Sequence, residues 1–535
     1  MAKRTAVLFF TFTLAMFFCA LTIFRLSGGV QLAEAAAQQQ TFDVTVASLR
    51  GTVYDSSLNA LTGDGEAEYA AAAVPSIEAA NALSRVLSPS EMKPVYTLLT
   101  AGRPFTLKLP KKISVPGIDV FSLKKRYADR QTAVHVLGYL DGSGNGAAGV
   151  EKAFDRQLSG NRGKITVSYP VDAMNRVLSR ERRTVSDASA LQNGGVVLTL
   201  DRSVQALAEQ SAAKYLKKGA VVVLEVPSGK IRAMVSLPSF SPNRVASVLN
   251  SADSPLLNRA TSAYSVGSVF KLAAAASALE YGISPDETYT CTGSIEVDGA
   301  AFHCFNGQSH GTENMKQAIA NSCNTYFVHL MQKVPQADFL QMARKLGFGR
   351  SSPIAPGMSP DPGVLPDLNS LKVPRALANF SFGQGDLTAT PLQVAAMVNA
   401  IASDGKFTQP YLYEGLVNDK KQFTERAGPQ QGTRVMSEKT AGLLRDFMKA
   451  SIDSGTSRKG KPSLTTAGAK TATAQTGKFV NGVETVESWF AGFCPYENPR
   501  YAVVVFAEGG DGGGATCGPV FRDLADGLYR LSAGS

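Results

Sequence analysis

Twenty consecutive residues near the N-terminus, Thr5 to Phe24, carry no charge, with Lys3 and Arg4 before them and Arg25 after. As a helix at about 1.5 Å per residue, such a run is roughly 30 Å long, the thickness of a bilayer's hydrocarbon core. The short positive N-terminus should stay in the cytoplasm, which puts everything after Arg25 outside. Residues 1–4 are therefore read as a cytoplasmic tip, 5–24 as a transmembrane anchor and 25–41 as a linker, with an Ala- and Gln-rich tether from Leu32 to Thr41. The rival is a cleaved signal peptide with its site at Ala33-Glu34-Ala35. The run is longer than the apolar segment of a signal peptide, and that site lies well beyond its end, so the anchor is preferred.

The remainder is long enough for several domains, since 535 residues correspond to about two to four at roughly 150 each. Apolar residues at 44% and charged residues at 18% exclude a long disordered or fibrous chain. Lys plus Arg number 54 against 44 for Asp plus Glu, a net charge of +10. No basic run interleaves with aromatics, and the densest cluster, Arg180 to Arg183, reads as a solvated face. No nucleic-acid partner is expected; a basic exported protein suits an anionic cell envelope. Cys19 lies in the membrane segment, leaving Cys291, Cys304, Cys323, Cys494 and Cys517 outside. Five is odd, which excludes a fully paired disulfide framework within one chain.

Residues 42–195 alternate short apolar runs with turns such as Gly142 to Gly146, a pattern of strands and hairpins more than long helices. Lys124, Lys125 and Arg126 read as a surface patch, and the polar stretch Arg180 to Gly195 as a link. Residues 196–535 open with the apolar run Val196 to Leu200. A helix then starts at Asp201, with Val204, Leu207, Ala208 and Ala212 on one face, and stops at Gly219. Ala220 to Leu224 reads as a buried central strand, and Ile231 to Val235 returns after a Pro-Ser-Gly turn. Trp489 to Phe493 and Tyr501 to Phe506 form another strand pair, and Pro519 to Leu531 a closing helix. Strands first and last with helices between predict an α/β fold with a mostly antiparallel sheet.

Three short motifs follow in order. Ser268-Val269-Phe270-Lys271 opens a helical segment, Leu272 to Leu279, so the hydroxyl and the amine share a face and can meet. Helix-start N–H groups favour developing negative charge at Ser268, and a lysine in a dry site can lose its proton and serve as base. Ser322-Cys323-Asn324 begins 54 positions later, and Lys470-Thr471-Ala472-Thr473 a further 148 positions on. Each pattern alone is weak: Ser-x-x-Lys recurs at Ser122 and Ser211, Ser-x-Asn at Ser57, Ser143, Ser159 and Ser241, and Lys-Thr-Ala at Lys439. Singly, Ser268 reads as a helix cap, Asn324 as a turn residue and Lys470 as a solvated strand end. The ordered triple in an exported chain, with Ser-x-x-Lys opening a helix and Lys-Thr-x on a strand, is far more specific.

With these motifs the chain resembles the penicillin-binding proteins, specifically the monofunctional class B type, over nearly its whole length. Arg50-Gly51-Thr52-Val53-Tyr54-Asp55 is similar to the signature that starts the family's pedestal domain. His135-Val136-Leu137-Gly138-Tyr139 with Gly149-Val150-Glu151 is similar to the second pedestal signature. Asn258-Arg259-Ala260, Gly383-Gln384-Gly385, Thr390-Pro391-Leu392-Gln393 and Ser488-Trp489-Phe490 also fit. The resemblance implies a pedestal over 42–195 and a transpeptidase domain over 196–535, of the penicillin-binding and serine β-lactamase-like fold. The pedestal stretch leaves no room for a glycosyltransferase, and the compact layout resembles Gram-positive members used in division, elongation or sporulation.

The implied reaction is DD-transpeptidation of peptidoglycan stem peptides ending in D-Ala-D-Ala, with no cofactor required for acyl transfer. Ser268 would attack, Lys271 would accept its proton, and Ser322 with Lys470 would relay a proton to the leaving amine. Asn324 would bind the substrate amide, Thr471 and Thr473 its carboxylate. The N–H groups of Ser268 and Thr473 would form the oxyanion hole, each donor of this kind being worth ~3 kcal/mol of barrier. β-Lactams would acylate Ser268 and stall there. A polytopic glycan polymerase is the implied partner. Two departures stand out: Ala472 where Gly is usual, whose methyl would narrow the site, and Val266 where Pro is usual before Gly267. Ala472 also keeps open a rival reading, a non-catalytic scaffold or β-lactam sensor. A β-lactamase or carboxypeptidase is a second rival, disfavoured because a soluble hydrolase needs neither pedestal nor anchor.

Cys291, Cys304, His310 and Cys323 follow one another with gaps of 12, 5 and 12 residues. Three thiols and an imidazole make a tetrahedral zinc set, and Cys323 would tie the metal to the relay serine's wall. Some class B proteins of the elongation type look similar here. A Cys291–Cys304 disulfide or inert buried thiols are the alternatives. Cys494 and Cys517 are expected in the core.

Overall fold

The N-terminal run forms a helix from Ala2 to Ser27 with Phe9, Phe10, Phe12 and Phe17 all exposed. Among the described residues it is the one helix long and apolar enough to cross a membrane. The structure, a computed structural model, describes residues 2–27, 41–161, 163–172, 175–178, 183–480 and 482–533. The tether over 32–40, the alternative cleavage site at 33–35 and Arg180 to Arg182 lie outside the described residues.

The chain forms two compact units that interleave in sequence. The first takes 1–50, 66–125 and 162–192, the second 51–65, 126–161 and 193–535. In the first unit, strand Ala67–Ala73 pairs antiparallel with Phe105–Leu109 and Ile118–Lys124. Its small side chains Ala71 and Ala73 leave room for Ala79, Leu83, Met92 and Val95 of helices Ile77–Ser84 and Pro89–Thr100. Those helices go beyond the strands and hairpins expected here, and their ends explain them. Ser76 caps the first, and Ser88 with Glu91 forms a capping box for the second, with Pro89 at its first position.

The single boundary drawn at 195 does not describe the packing. Thr52–Tyr54 pairs in parallel with Gly195–Leu198, and Arg126 reaches both the Gly51 carbonyl and the buried Glu151 carboxylate. Segments 51–65 and 126–161 therefore belong to the second unit. Nor is 180–195 only a link, because Thr184–Asp187 pairs with Gly163–Pro170 as a strand.

The second unit is built on α1 (Arg202–Tyr215), β1 (Gly219–Glu225), β2 (Ile231–Leu237), α2 (Lys271–Glu280), α3 (Met315–Asn321), α4 (Asn324–Met331), α5 (Pro391–Ala402) and α6 (Glu438–Asp453). It closes with β3 (Gly468–Val480), β4 (Val483–Cys494), β5 (Tyr501–Glu508) and α7 (Gly518–Ala533). The five strands form one sheet in the order β2-β1-β5-β4-β3, antiparallel throughout. α1 ends at Tyr215, before the expected stop, and Gly219 instead begins β1. The apolar run in β1 is continuous because both faces are buried. Val221 and Val223 face a cluster with Ala208 of α1 and Phe521 and Leu524 of α7, whereas Val222 and Leu224 face one with α2 and the fully buried α5. β3 is an edge strand, so one side of its backbone is left open for a cleft.

Candidate active site

Ser268 lies in a 3-10 turn, Gly267–Phe270, that leads into α2; the helix proper starts at Lys271. Three attachments hold this turn. The Trp489 indole N–H donates to the Ser265 carbonyl at 2.9 Å, the Gly267 N–H donates to the Gly383 carbonyl at 2.9 Å, and Tyr264–Ser265 pairs with Thr388–Ala389. Gly267 has φ +64°, and a Cβ there would stand 3.1 Å from the Ala474 Cβ and 3.4 Å from the Ala472 Cβ. The Ser268 turn thus lies directly against β3, as close as a missing side chain allows. Val266 is buried at the start of the turn and does not displace Ser268.

Lys271 is fully buried. Its Nζ donates to the Ser322 carbonyl and to Asn324 Oδ1, each at 2.6 Å, and approaches Ser322 Oγ at 3.3 Å. The expected direct bond to the Ser268 hydroxyl is not formed among the described residues. The amine turns toward the Ser322 loop, where a carbonyl and an amide oxygen give it better acceptors. Burial lowers the Lys271 amine to about 8. Lys470, also fully buried, donates to Ser322 Oγ at 2.9 Å and to the Thr471 carbonyl at 2.8 Å. Burial, and then the neighbouring Lys271 charge, pushes its amine well below the ordinary range. The Ser322 hydroxyl is therefore gripped between two lysine amines.

Ser322 reaches that position through a left-handed backbone, φ 62°, at the C-cap of α3. Strain of this kind in a non-glycine residue gathers at functional sites. Cys323 caps α4 through its sulfur, and Asn324 Nδ2 donates to the His303 carbonyl at 2.8 Å. Across the cleft, Thr471, Ala472 and Thr473 pair with Phe490, Trp489 and Ser488 of β4. Strand alternation turns Lys470 and Ala472 inward and Thr471 and Thr473 to the other face. The Ala472 methyl, 3% exposed, packs toward Gly267 rather than narrowing an open site. Sequence reasoning missed the anchoring of Ser265 by Trp489 and the His303 carbonyl behind Asn324. The first had a signal in the Ser-Trp-Phe match; the second is a backbone group and had none.

The four metal-site candidates converge. Cys291 Sγ lies 3.7 Å from Cys304 Sγ and 3.4 Å from His310 Nδ1, and Cys304 Sγ lies 3.8 Å from Cys323 Sγ. All four ligand atoms fall within 4.8 Å of one another, and all three cysteines are buried and unbridged. A zinc–sulfur bond of about 2.3 Å implies tetrahedral sulfur–sulfur edges of about 3.8 Å, so the donor set fits that ion. Cys494 and Cys517 are buried in the core, where burial pushes the Cys494 thiol up to about 12.

The Penicillin binding protein transpeptidase domain family matches residues 219–526, more than half of the chain. The chain belongs to the class B penicillin-binding proteins. It is 30% identical over 428 residues to the peptidoglycan D,D-transpeptidase PbpA of Mycolicibacterium smegmatis, covering 75% of this chain and 83% of that one. It is 30% identical over 410 residues to the stage V sporulation protein D of Bacillus subtilis, covering 73% of this chain but only 61% of that protein. A chain from a peptidoglycan synthase complex that coordinates polymerization and crosslinking shares the fold, with TM-score 0.71 at 24% identity over 99% of this chain and 98% of that one. In this penicillin-binding protein the three motifs meet at one cleft between β3 and the Ser322 turn.

Proposed function

We propose that the chain is a peptidoglycan DD-transpeptidase working through an acyl-enzyme on Ser268. One observation carries the reading: Ser322 Oγ bridges two buried, pKa-depressed amines beside the Ser268 turn. Ser268 Oγ adds to the carbonyl of the penultimate D-Ala, and its proton passes to neutral Lys271. The oxyanion rests on the N–H groups of Ser268 and Thr473. Ser322 then delivers a proton to the departing D-Ala amine and recovers one from the lysines. The amine of a second stem peptide attacks the ester, returning Ser268 and forming the cross-link. Asn324 holds the substrate amide, while Thr473, beside Lys470, holds the carboxylate; the Thr471 hydroxyl stands behind it, donating to Thr456.

With the N-terminal helix as anchor, the catalytic unit lies outside the cell, beside a lipid-linked substrate, and the first unit, 42–50, 66–125 and 162–192, supplies the pedestal. A polytopic glycan polymerase is the proposed partner; a chain of similar fold belongs to a synthase complex that coordinates polymerization and crosslinking. Cys291, Cys304, His310 and Cys323 would hold a structural zinc, which would cross-link the Ser322 wall and take no step of the acyl transfer. Stoichiometric metal in protein never exposed to chelator tests this; none would reject it.

The test of the activity is turnover. The full-length chain in detergent is given a stem-peptide pentapeptide and an acceptor amine. Released D-Ala together with a cross-linked product, both lost in Ser268→Ala, is the expected result. D-Ala released with only the hydrolysed tetrapeptide points to a carboxypeptidase, and no release from folded protein points to a scaffold.

A further inference from the structure

The Thr471 hydroxyl is not free to meet a substrate. Thr471 is 7% exposed, and its Oγ1 donates at 3.0 Å to Thr456 Oγ1. Thr456 is an exposed residue and Thr471 a buried one, so of the two it is Thr456 that solvent reaches at this end of β3. Because it accepts from Thr471, its own proton is left for an outside acceptor, and donation from behind polarises that proton further.

The backbone around Thr456 is built to hold it there. Its N–H donates to the Ala320 carbonyl at 2.9 Å, two residues before Ser322. Gly455 passes so close to α3 that a Cβ there would stand 2.2 Å from the same carbonyl. Ser457 Oγ lies 2.8 Å from Ser451 Oγ and donates to the Ala469 carbonyl of β3 at 3.4 Å. On the far side, a Cβ at Gly514 would lie 3.1 Å from the Thr456 carbonyl, and the Gly513 N–H donates to Thr473 Oγ1 at 3.4 Å. Thr456 is thus bonded to the end of α3 and, through Thr471, to β3, with Gly514 close against its carbonyl.

We propose that Thr456 is a specificity-determining residue that donates a hydrogen bond to the C-terminal carboxylate of the donor peptide, with Thr471 as the hydroxyl behind it. The proposal rests on the transpeptidase reading and adds a residue outside the three motifs. It makes carboxylate recognition a chain of hydroxyls, Thr471 to Thr456 to carboxylate, and Thr473 a second donor beside it. An anionic acceptor makes such a bond stronger than a neutral one.

The test compares benzylpenicillin with its methyl ester as acylating agents of the full-length chain in detergent. In wild type the free acid should react faster than the ester. Thr456→Val should lower the acid rate about tenfold more than the ester rate, the size of one hydrogen bond to a charged group, and Thr456→Ser should restore the ratio. Parallel loss on acid and ester would mark Thr456 as packing only, and an unchanged ratio would likewise overturn the proposal. Should Thr456→Val not fold, Thr456→Ala carries the same comparison. Folded wild type that neither compound acylates would instead overturn the transpeptidase reading itself, which keeps the two failures apart.

Discussion

The two walls of the cleft are built by different means. The β3 wall belongs to a five-stranded sheet, and its register against β4 is unbroken from Gly468–Phe493 to Gln475–Val486. The Ser322 wall is a left-handed turn between α3 and α4, flanked by two-stranded ribbons, Tyr289–Cys291 with Gly311–Glu313 and Ser294–Val297 with Ala300–His303. An isolated two-stranded ribbon is marginal on its own. The cysteines and histidine sit in and around those ribbons and in the Ser322 turn, where a metal held by them would substitute for a ladder. A backbone ladder positions Lys470, whereas on the proposed reading the Ser322 wall would depend on its metal ligands.

The largest effect sharpens this contrast. Lys470→Met should leave the sheet folded, because the ladder is backbone, yet lower the acylation rate by about 10²–10⁴-fold, as expected for loss of a proton-transfer group. A collapse in thermal stability instead would show that the strand depends on the lysine. Next in size, chelation or Cys304→Ser should loosen only the Ser322 wall and slow acylation by about tenfold to a hundredfold, a range typical of disturbed metal surroundings. Hydrogen exchange should rise in 289–331 and not in β3; equal loosening of both walls would break the comparison.

The pH profile follows. As the proposed base, Lys271 would accept a proton only as the neutral amine, and burial lowers it to about 8. Below that pH the charged form dominates, so the acylation rate should climb about tenfold per unit toward pH 8 and level above it. A rate that falls with rising pH contradicts Lys271 as base. The same shift has a stability sign. The folded state disfavours the charged amine, so stability should rise as pH climbs from about 8 toward the unfolded value. The smallest effect belongs to Ala472→Gly. Removing a methyl that packs on Gly267 should cost about 0.5–1 kcal/mol of stability and change acylation by less than about threefold. A large gain in β-lactam reactivity would mean that the methyl does intrude on the cleft.

The features legible in the sequence are those written in periodicity or in side-chain chemistry. Ala220 to Leu224, the Trp489 and Tyr501 strands and the face of α1 follow from apolar pattern alone, and the Cys/His set follows from ligand type. The interleaving of the two units was hidden, because it turns on Thr52–Tyr54, a three-residue strand pairing with Gly195–Leu198 far along the chain. Tertiary hydrogen bonds of that range leave no local signal. The turning of Lys271 toward Asn324 was hidden for a related reason: helical spacing says which residues share a face, not which acceptors a long side chain finds. Thr456 belongs to no motif, and only its hydrogen bond to Thr471 sets it apart.

The most direct measurement is mass spectrometry of the full-length chain after exposure to benzylpenicillin, with peptide mapping of the adduct. The account predicts one penicilloyl group per chain, on Ser268, absent in Ser268→Ala and slow to form in Lys271→Met. An adduct on any other residue, or folded protein that stays unmodified, would contradict it.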